Sequence, residues 1–262
     1  MITSVSNSLV KQIRSLTADR KARRSERIFV AEGIRLVADL LEGGGHLAAA
    51  LYDEPQLLGS DAGRALLGRL TADRIAQPAS QHVVAAAADT RSPQGVVALF
   101  RWPEIAPSAT GMTLLLDALH DPGNLGTLVR SAEAAGVGQV ICAPGSADAY
   151  APKVVRAAMG AHTRVALMQD VTWEQIDDAL YGVDHIYAAA MGATMPYYAA
   201  DWRQRSALIV GGEAHGLSDD GLARTTQQIA IPMRGGGESL NAAVAGSIIL
   251  FEALRQRSLG RS

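Results

Sequence analysis

The chain has 262 residues, 48% of them hydrophobic and 19% charged, at a mean hydropathy of +0.09, which excludes disorder, a collagen-like repeat and a disulfide scaffold and leaves room for two modest domains. A net charge of −2 excludes a generic polyanion glue. The charge is uneven, however: residues 1–35 carry eight cations (Lys11, Arg14, Arg20, Lys21, Arg23, Arg24, Arg27, Arg35) against three anions (Asp19, Glu26, Glu32), or +5. A polyanion could dock there, and a solvated Arg-rich helix face is the alternative. Helical apolar spacing runs through residues 6–20 (Leu9, Val10, Ile13, Leu16) and again through 32–41, stopping at Gly43-Gly44-Gly45. Short β-like runs at 47–52, 83–84 and 96–100 suggest a small α/β module ending near Arg101. The Pro-containing stretch from Trp102 reads as a linker, so the expected domains are 1–101 and 111–262, joined by 102–110.

From Met112 the texture changes. Apolar runs of strand length at 114–116, 140–142, 165–168, 186–190, 208–210 and 229–231 alternate with amphipathic segments at 125–135, 153–159 and 173–181, and a long apolar helix is expected over about 240–256. Such runs suit strands buried on both faces, and the alternation predicts right-handed βαβ units around a parallel sheet. No run reaches the ~18–20 apolar residues of a membrane span, and the first residues lack a charged-then-apolar leader pattern, so a soluble, unexported protein is expected. The single Cys142, set in an apolar run, fits a reduced cytoplasmic setting.

In open α/β sheets ligands bind beyond the carboxyl ends of the strands, and three such loops are unusual. The first runs from Asp117 through Asp121-Pro122-Gly123-Asn124-Leu125-Gly126 to Arg130; Pro-Gly makes a tight turn, and Asn124 is a good helix N-cap. The second is Gly211-Gly212-Glu213-Ala214-His215-Gly216, where two glycines admit a ligand close to the backbone and Glu213 places a carboxylate at the sheet edge. The third runs from Ile231-Pro232-Met233 through a triple glycine to Ser239-Leu240-Asn241, with Ser239 expected to cap a helix whose first turn presents Asn241. A plain capped helix and plain Gly-rich turns are the structural alternatives. There is no Gly-x-Gly-x-x-Gly, P-loop or Gly-x-Ser-x-Gly elbow, and the six His lack the i, i+4 spacing of a helical metal pair, so no metal is expected.

In order and spacing the three loops resemble the signature motifs of the SpoU (TrmH-like) RNA 2′-O-ribose methyltransferases of the SPOUT superfamily. Segment 153–161 is similar too, although the family often has Ser where Ala158 stands. Ser6-Asn7-Ser8, Phe29 to Arg35 and Ser92-Pro93-Gln94-Gly95 resemble the ribosomal-protein-like (L30e-like) substrate-binding domain of rRNA-modifying members. The resemblance implies an α/β fold: a parallel-sheet catalytic domain with a C-terminal trefoil knot, preceded by a small α/β RNA-binding domain. It implies S-adenosylmethionine held in the knot by Gly211, Gly212, Ile231, Met233 and Leu240 with Met191 nearby, and a homodimer that completes each site across the knot. Arg130 is then the candidate for activating the ribose hydroxyl, as base or as electrostatic clamp, with Asn124, Glu213, Ser239 and Asn241 as the other site residues. Arg20, Lys21, Arg23, Arg24, Arg27 and Arg35 are the expected RNA contacts. The expected substrate is 23S rRNA. Alternatives are tRNA, an RNA-binding knot protein without turnover, and an unrelated α/β enzyme acting on a small nucleotide.

Overall fold

The computed structural model describes residues 1–72, 75–108, 111–213, 216–235 and 239–259. In chain order the elements are α1 (Ser8–Ala18), α2 (Arg20–Glu26), β1 (Ile28–Glu32), α3 (Ile34–Glu42), β2 (Leu47–Tyr52), α4 (Glu54–Leu58), α5 (Asp61–Ala72), β3 (Ala76–Pro78), α6 (Gln81–Ala87) and β4 (Val96–Arg101). They continue with β5 (Thr113–Asp117), α7 (Pro122–Ala134), β6 (Gln139–Cys142), α8 (Pro152–Ala158), β7 (Ala166–Met168), α9 (Trp173–Ala179), β8 (His185–Ala189), β9 (Met195–Pro196), β10 (Ser206–Gly211), α10 (Asp219–Arg224), β11 (Gln227–Ala230) and α11 (Ala242–Leu259). No helix of the described residues is long and apolar enough to cross a membrane.

The contacts divide the chain into two units. The first comprises Met1–Glu104 and Tyr150–Thr163; the second comprises Ile105–Ala149 and Arg164–Ser262. The first unit therefore takes back a segment that lies inside the expected 111–262 domain. Side chains account for this: Tyr150 stacks on Trp102 with ring centroids 4.1 Å apart, and Arg156 of α8 pairs with Glu32 (3.3 Å) and Asp89 (2.9 Å). Ala158 of α8 is fully buried.

The sheet of the first unit has the order β1-β4-β2-β3, with β4 antiparallel to both neighbours and β3 parallel to β2. Helices α1 and α6 cover it, packing Val10, Ile13, Leu16, Val83 and Val84 against Val30, Leu51, Val97 and Leu99. Two sequence expectations change here, while the helical pattern over 32–41 is met by α3, which follows β1 directly. Residues 83–84, expected as β-like, lie in α6, and the single helix expected over 6–20 ends at Ala18. Asp19 interrupts it, its side chain accepting from the Lys21 amide to begin α2.

The second unit is the expected parallel α/β structure. Its seven strands, in the order β7-β6-β5-β10-β8-β11-β9, all pair in parallel. Burial on both faces explains the continuous apolar runs. On one face Ile176 and Leu180 lie over Leu115, Ile141, Ala188 and Ile209. On the other, α7 and α11 meet closely: Ser131 and Ser247 share a 2.8 Å hydrogen bond, and a Cβ on Gly246 would lie 2.5 Å from Leu128 Cδ2. Larger residues at 246 would have to displace the buried Leu128 side chain.

Candidate active site

Because β5, β10, β8 and β11 are adjacent and parallel, their carboxyl ends gather the three unusual loops at one edge of the sheet. Strand β5 ends at Asp117, paired in register with Gly211 at the end of β10. The next residue, Ala118, has φ +51°, a left-handed conformation that costs energy for a residue bearing Cβ. Its carbonyl packs against Gly212, where a Cβ would collide with it; a Cβ on Gly211 would likewise run into the Gly216 backbone. Two consecutive glycines are thus needed because backbone from both loops fills the space of a side chain.

Helix α7 begins with Asp121 as its N-cap, not Asn124 as expected. The Asp121 carboxylate accepts from the Asn124 amide at 2.8 Å, and Pro122 occupies the first turn, where its missing N–H costs nothing. This frees the Asn124 side chain. Its Nδ2 donates to Glu213 Oε1 at 2.7 Å, and its Oδ1 accepts from Asn241 Nδ2 at 2.9 Å. Asn241, not Ser239, caps the last helix, its Oδ1 accepting from the amides of Ala243 (2.9 Å) and Val244 (3.2 Å). One hydrogen-bonded chain, Asn241 to Asn124 to Glu213, therefore joins all three loops.

Glu213 and Asn241, the two ends of this chain, border a cavity of about 1060 Å³. Met191, Gly211, Gly212, Ile231, Met233 and Leu240, the expected cofactor contacts, all line it, as do Glu213, Ser239 and Asn241. Its walls are otherwise small or aliphatic, a lining that suits a ligand with an extended apolar body held by backbone groups. Sequence reasoning missed Ala245 and Ile249 of α11, which form part of the wall. It also gave no role to Asp117. This carboxylate is fully buried; Oδ2 accepts from the Ser218 amide at 2.7 Å, and Oδ1 has no hydrogen-bond partner among the described residues. The signal was present, since an acid ends an otherwise apolar strand. Residues 214–215 and 236–238 of the motifs, and 109–110 of the expected linker, lie outside the described residues.

Arg130 is not part of the bridged group. It is exposed on α7 and makes no hydrogen bond or ion pair with any described residue. Of the expected RNA contacts, Arg20, Lys21, Arg24, Arg27 and Arg35 are exposed in the first unit, and Arg27 lies over the Trp102 ring at 5.2 Å. Arg23 is a correction. It is only 4% exposed, and its Nη1 donates to the carbonyls of Leu16 (2.5 Å) and Thr17 (3.0 Å), satisfying the orphan carboxyl end of α1. It cannot face RNA.

Comparison with known proteins adds to this geometry. Residues 111–251 match the model of the SpoU rRNA Methylase family, and residues 7–98 match an MRM3-like substrate binding domain. The chain is 31% identical over 250 residues to the Bacillus subtilis 23S rRNA (guanosine(2553)-2′-O)-methyltransferase RlmP, covering 95% of this chain and 97% of that protein. It is similar in structure to the SpoU methyltransferase AviRb from Streptomyces viridochromogenes in complex with the cofactor AdoMet, with a TM-score of 0.85, 28% identity and coverage of 96% and 98%. An AdoMet-bound rRNA methyltransferase from Sinorhizobium meliloti gives a TM-score of 0.82 at 30% identity, covering 97% of each chain.

Proposed function

Because this chain belongs to the SpoU rRNA methylase family, we propose that it uses S-adenosylmethionine to methylate a ribose 2′-hydroxyl of rRNA, with 23S rRNA as the substrate. The observation that carries this reading is the Asn241–Asn124–Glu213 chain, which ties the first motif loop to the two motif loops that line one cavity. The same reading includes the C-terminal trefoil knot that accompanies this fold in the family.

Gly211, Gly212, Ile231, Met233 and Leu240 would hold the cofactor, with Met191 at the rim. When bound, the cofactor supplies a methyl group on a sulfonium, an activated donor that needs no metal. The chain's task is then to align the ribose oxygen for in-line attack and to manage the negative charge that develops on it. A guanidinium carries five N–H donors and no acceptor. Arg130 therefore serves as an electrostatic clamp on the neighbouring phosphate and the developing alkoxide. Glu213 and Asn241 hold the loops that frame this step.

Arg130 has no partner among the described residues of its own chain, and α11 exposes Val244 and Phe251 seven residues apart on one face. Both features support a homodimer in which one copy's Arg130 serves its partner's site. Exposed Arg20, Lys21, Arg24, Arg27 and Arg35 of the first unit supply phosphate contacts. The buried Cys142 fits a cytoplasmic setting.

Transfer of labelled methyl from S-adenosylmethionine to unmodified rRNA and, separately, to tRNA tests the reading, with Arg130→Ala as the control. Label in rRNA that renders one linkage alkali-resistant and disappears in the variant is the expected result. Label confined to tRNA overturns the substrate, and cofactor binding without transfer to any RNA or ribosomal particle overturns the activity.

A further inference from the structure

The second unit carries fifteen Asp and Glu against nine Arg in its sequence, so a phosphate backbone reaching its site approaches an acidic body. Attraction there has to come from individual cations that are not already neutralised. Eight of the arginines fall among the described residues. Arg164 is held by Glu133, Arg203 by Asp201, Arg224 by Asp177 and Arg255 by Glu252. Arg257 is spent on the carbonyls of Trp202 and Gln204.

Arg130, Arg205 and Arg234 remain, their side chains free of hydrogen bonds and ion pairs to described residues. Arg205 immediately precedes β10, at the amino end of the strands and so at the wrong edge of the sheet. Arg234 is at the right edge. It is exposed, directly follows Met233 of the cavity lining, and precedes Gly235, around which a Cβ would meet open space. We propose that Arg234 binds an RNA phosphate next to the target ribose, a substrate contact separate from Arg130. The inference rests on the RNA-methylating reading above. It assigns this loop two functions, with Met233 facing the cofactor cavity and Arg234 facing the nucleic-acid backbone.

The test is filter binding of an rRNA fragment to the full-length protein across a salt titration, for wild type, Arg234→Gln and Arg234→Lys, alongside methyl transfer and cofactor affinity. Loss of one phosphate contact makes the slope of log K against log salt shallower by about 0.7–0.9. Arg234→Gln is expected to show that change with a severalfold weaker Kd for RNA, while Arg234→Lys keeps the wild-type slope. Cofactor affinity and kcat at saturating RNA stay at wild-type values. An unchanged slope in Arg234→Gln, or a fall in its cofactor affinity, overturns the assignment while wild-type methylation stands. A wild type that neither binds nor methylates RNA overturns the underlying reading as well.

Discussion

Asn241 donates from Nδ2 to Asn124 Oδ1 at 2.9 Å while its own Oδ1 caps α11, and this double duty sets the polarity of the whole site. An amide oxygen committed to two backbone N–H groups leaves only the nitrogen to face Asn124. Asn124 must therefore accept with its oxygen and donate with its nitrogen, which requires an acceptor at Glu213.

Substitution can separate these roles. Asn241→Asp keeps a good N-cap but replaces the donor with a second acceptor facing Asn124 Oδ1. Methyl transfer is expected to fall about 10- to 100-fold through misplacement of the loops, with folding stability changed by less than about 1 kcal/mol. Glu213→Gln retains an acceptor oxygen and loses less. Single-turnover rates beside thermal melts check this; equal losses in the two variants would show that the direction of the chain is irrelevant.

Arg23 and its neighbours on α2 make a second, opposite pair of outcomes. Arg23→Ala removes the donor to two carbonyls at the end of α1 and is expected to cost about 2–3 kcal/mol of stability. The exposed triple Arg20→Ala, Lys21→Ala, Arg24→Ala should leave stability within roughly 0.5 kcal/mol per site and flatten the salt dependence of RNA binding. Chemical denaturation and filter binding measure the two. A stable Arg23→Ala protein with weakened RNA binding would restore Arg23 to the RNA face.

Such contrasts mark where the sequence was readable. The strands of the second unit were legible because burial on both faces leaves uninterrupted apolar runs, as in Leu114 to Leu116 and Leu208 to Val210. The first unit was less so: Val83 and Val84 are β-branched yet sit in an Ala-rich helix, where tertiary packing outweighs propensity. At Asp121-Pro122-Gly123-Asn124 two residues could cap, and the geometry of Pro122 selected the first. The bridge from Asn124 to Glu213 and Asn241 spans 89 and 117 residues, a distance across which local pattern carries no information. The burial of Arg23 was hidden for a different reason: its partners Leu16 and Thr17 are near in sequence, but their carbonyls are open to it only because α1 ends at Ala18.

Gly212 gives a sharper steric test. Gly212→Ala drives a Cβ into the backbone carbonyl of Ala118, which no side-chain rotation can relieve, so one of the two loops must shift. A cost of about 1–3 kcal/mol and weakened cofactor binding are expected. Gly235→Ala, which meets nothing, serves as the control. Calorimetric titration with S-adenosylmethionine reads the effect, and wild-type affinity in Gly212→Ala would mean that the close approach of these loops is dispensable.

Acid sensitivity should reveal the α9–α10 contact. Arg224 donates to both Asp177 oxygens at 2.6 and 2.8 Å, and this hydrogen bonding holds the Asp177 carboxyl below its ordinary range. A carboxylate with a depressed folded pKa stabilises the fold above its unfolded value and loses that contribution as pH falls through the folded value. Asp177 is half exposed, so the pair contributes less than about 1 kcal/mol. Wild type should therefore exceed Asp177→Asn in stability by a constant small margin from neutral pH down to about pH 5, and the margin should close below about pH 4. A margin that persists in acid would point to packing rather than charge.

The proposed dimer makes the most exacting demand, because Arg130 and Asn241 would then serve a given site from different copies. Arg130→Ala and Asn241→Asp homodimers should each be nearly inactive. Unfolded together and refolded in equal amounts, random pairing makes half the dimers mixed, and in each mixed dimer one site receives an intact Arg130 and an intact Asn241 while the other receives neither. Activity should recover to about a quarter of wild type. Phe251→Arg, which places a charge on the exposed face of α11, should prevent both the recovery and the dimer seen by sedimentation. If mixing restores nothing although mixed dimers form, each site is completed within one chain, and Arg130 must reach the cavity of its own copy by moving from the exposed position it holds on α7.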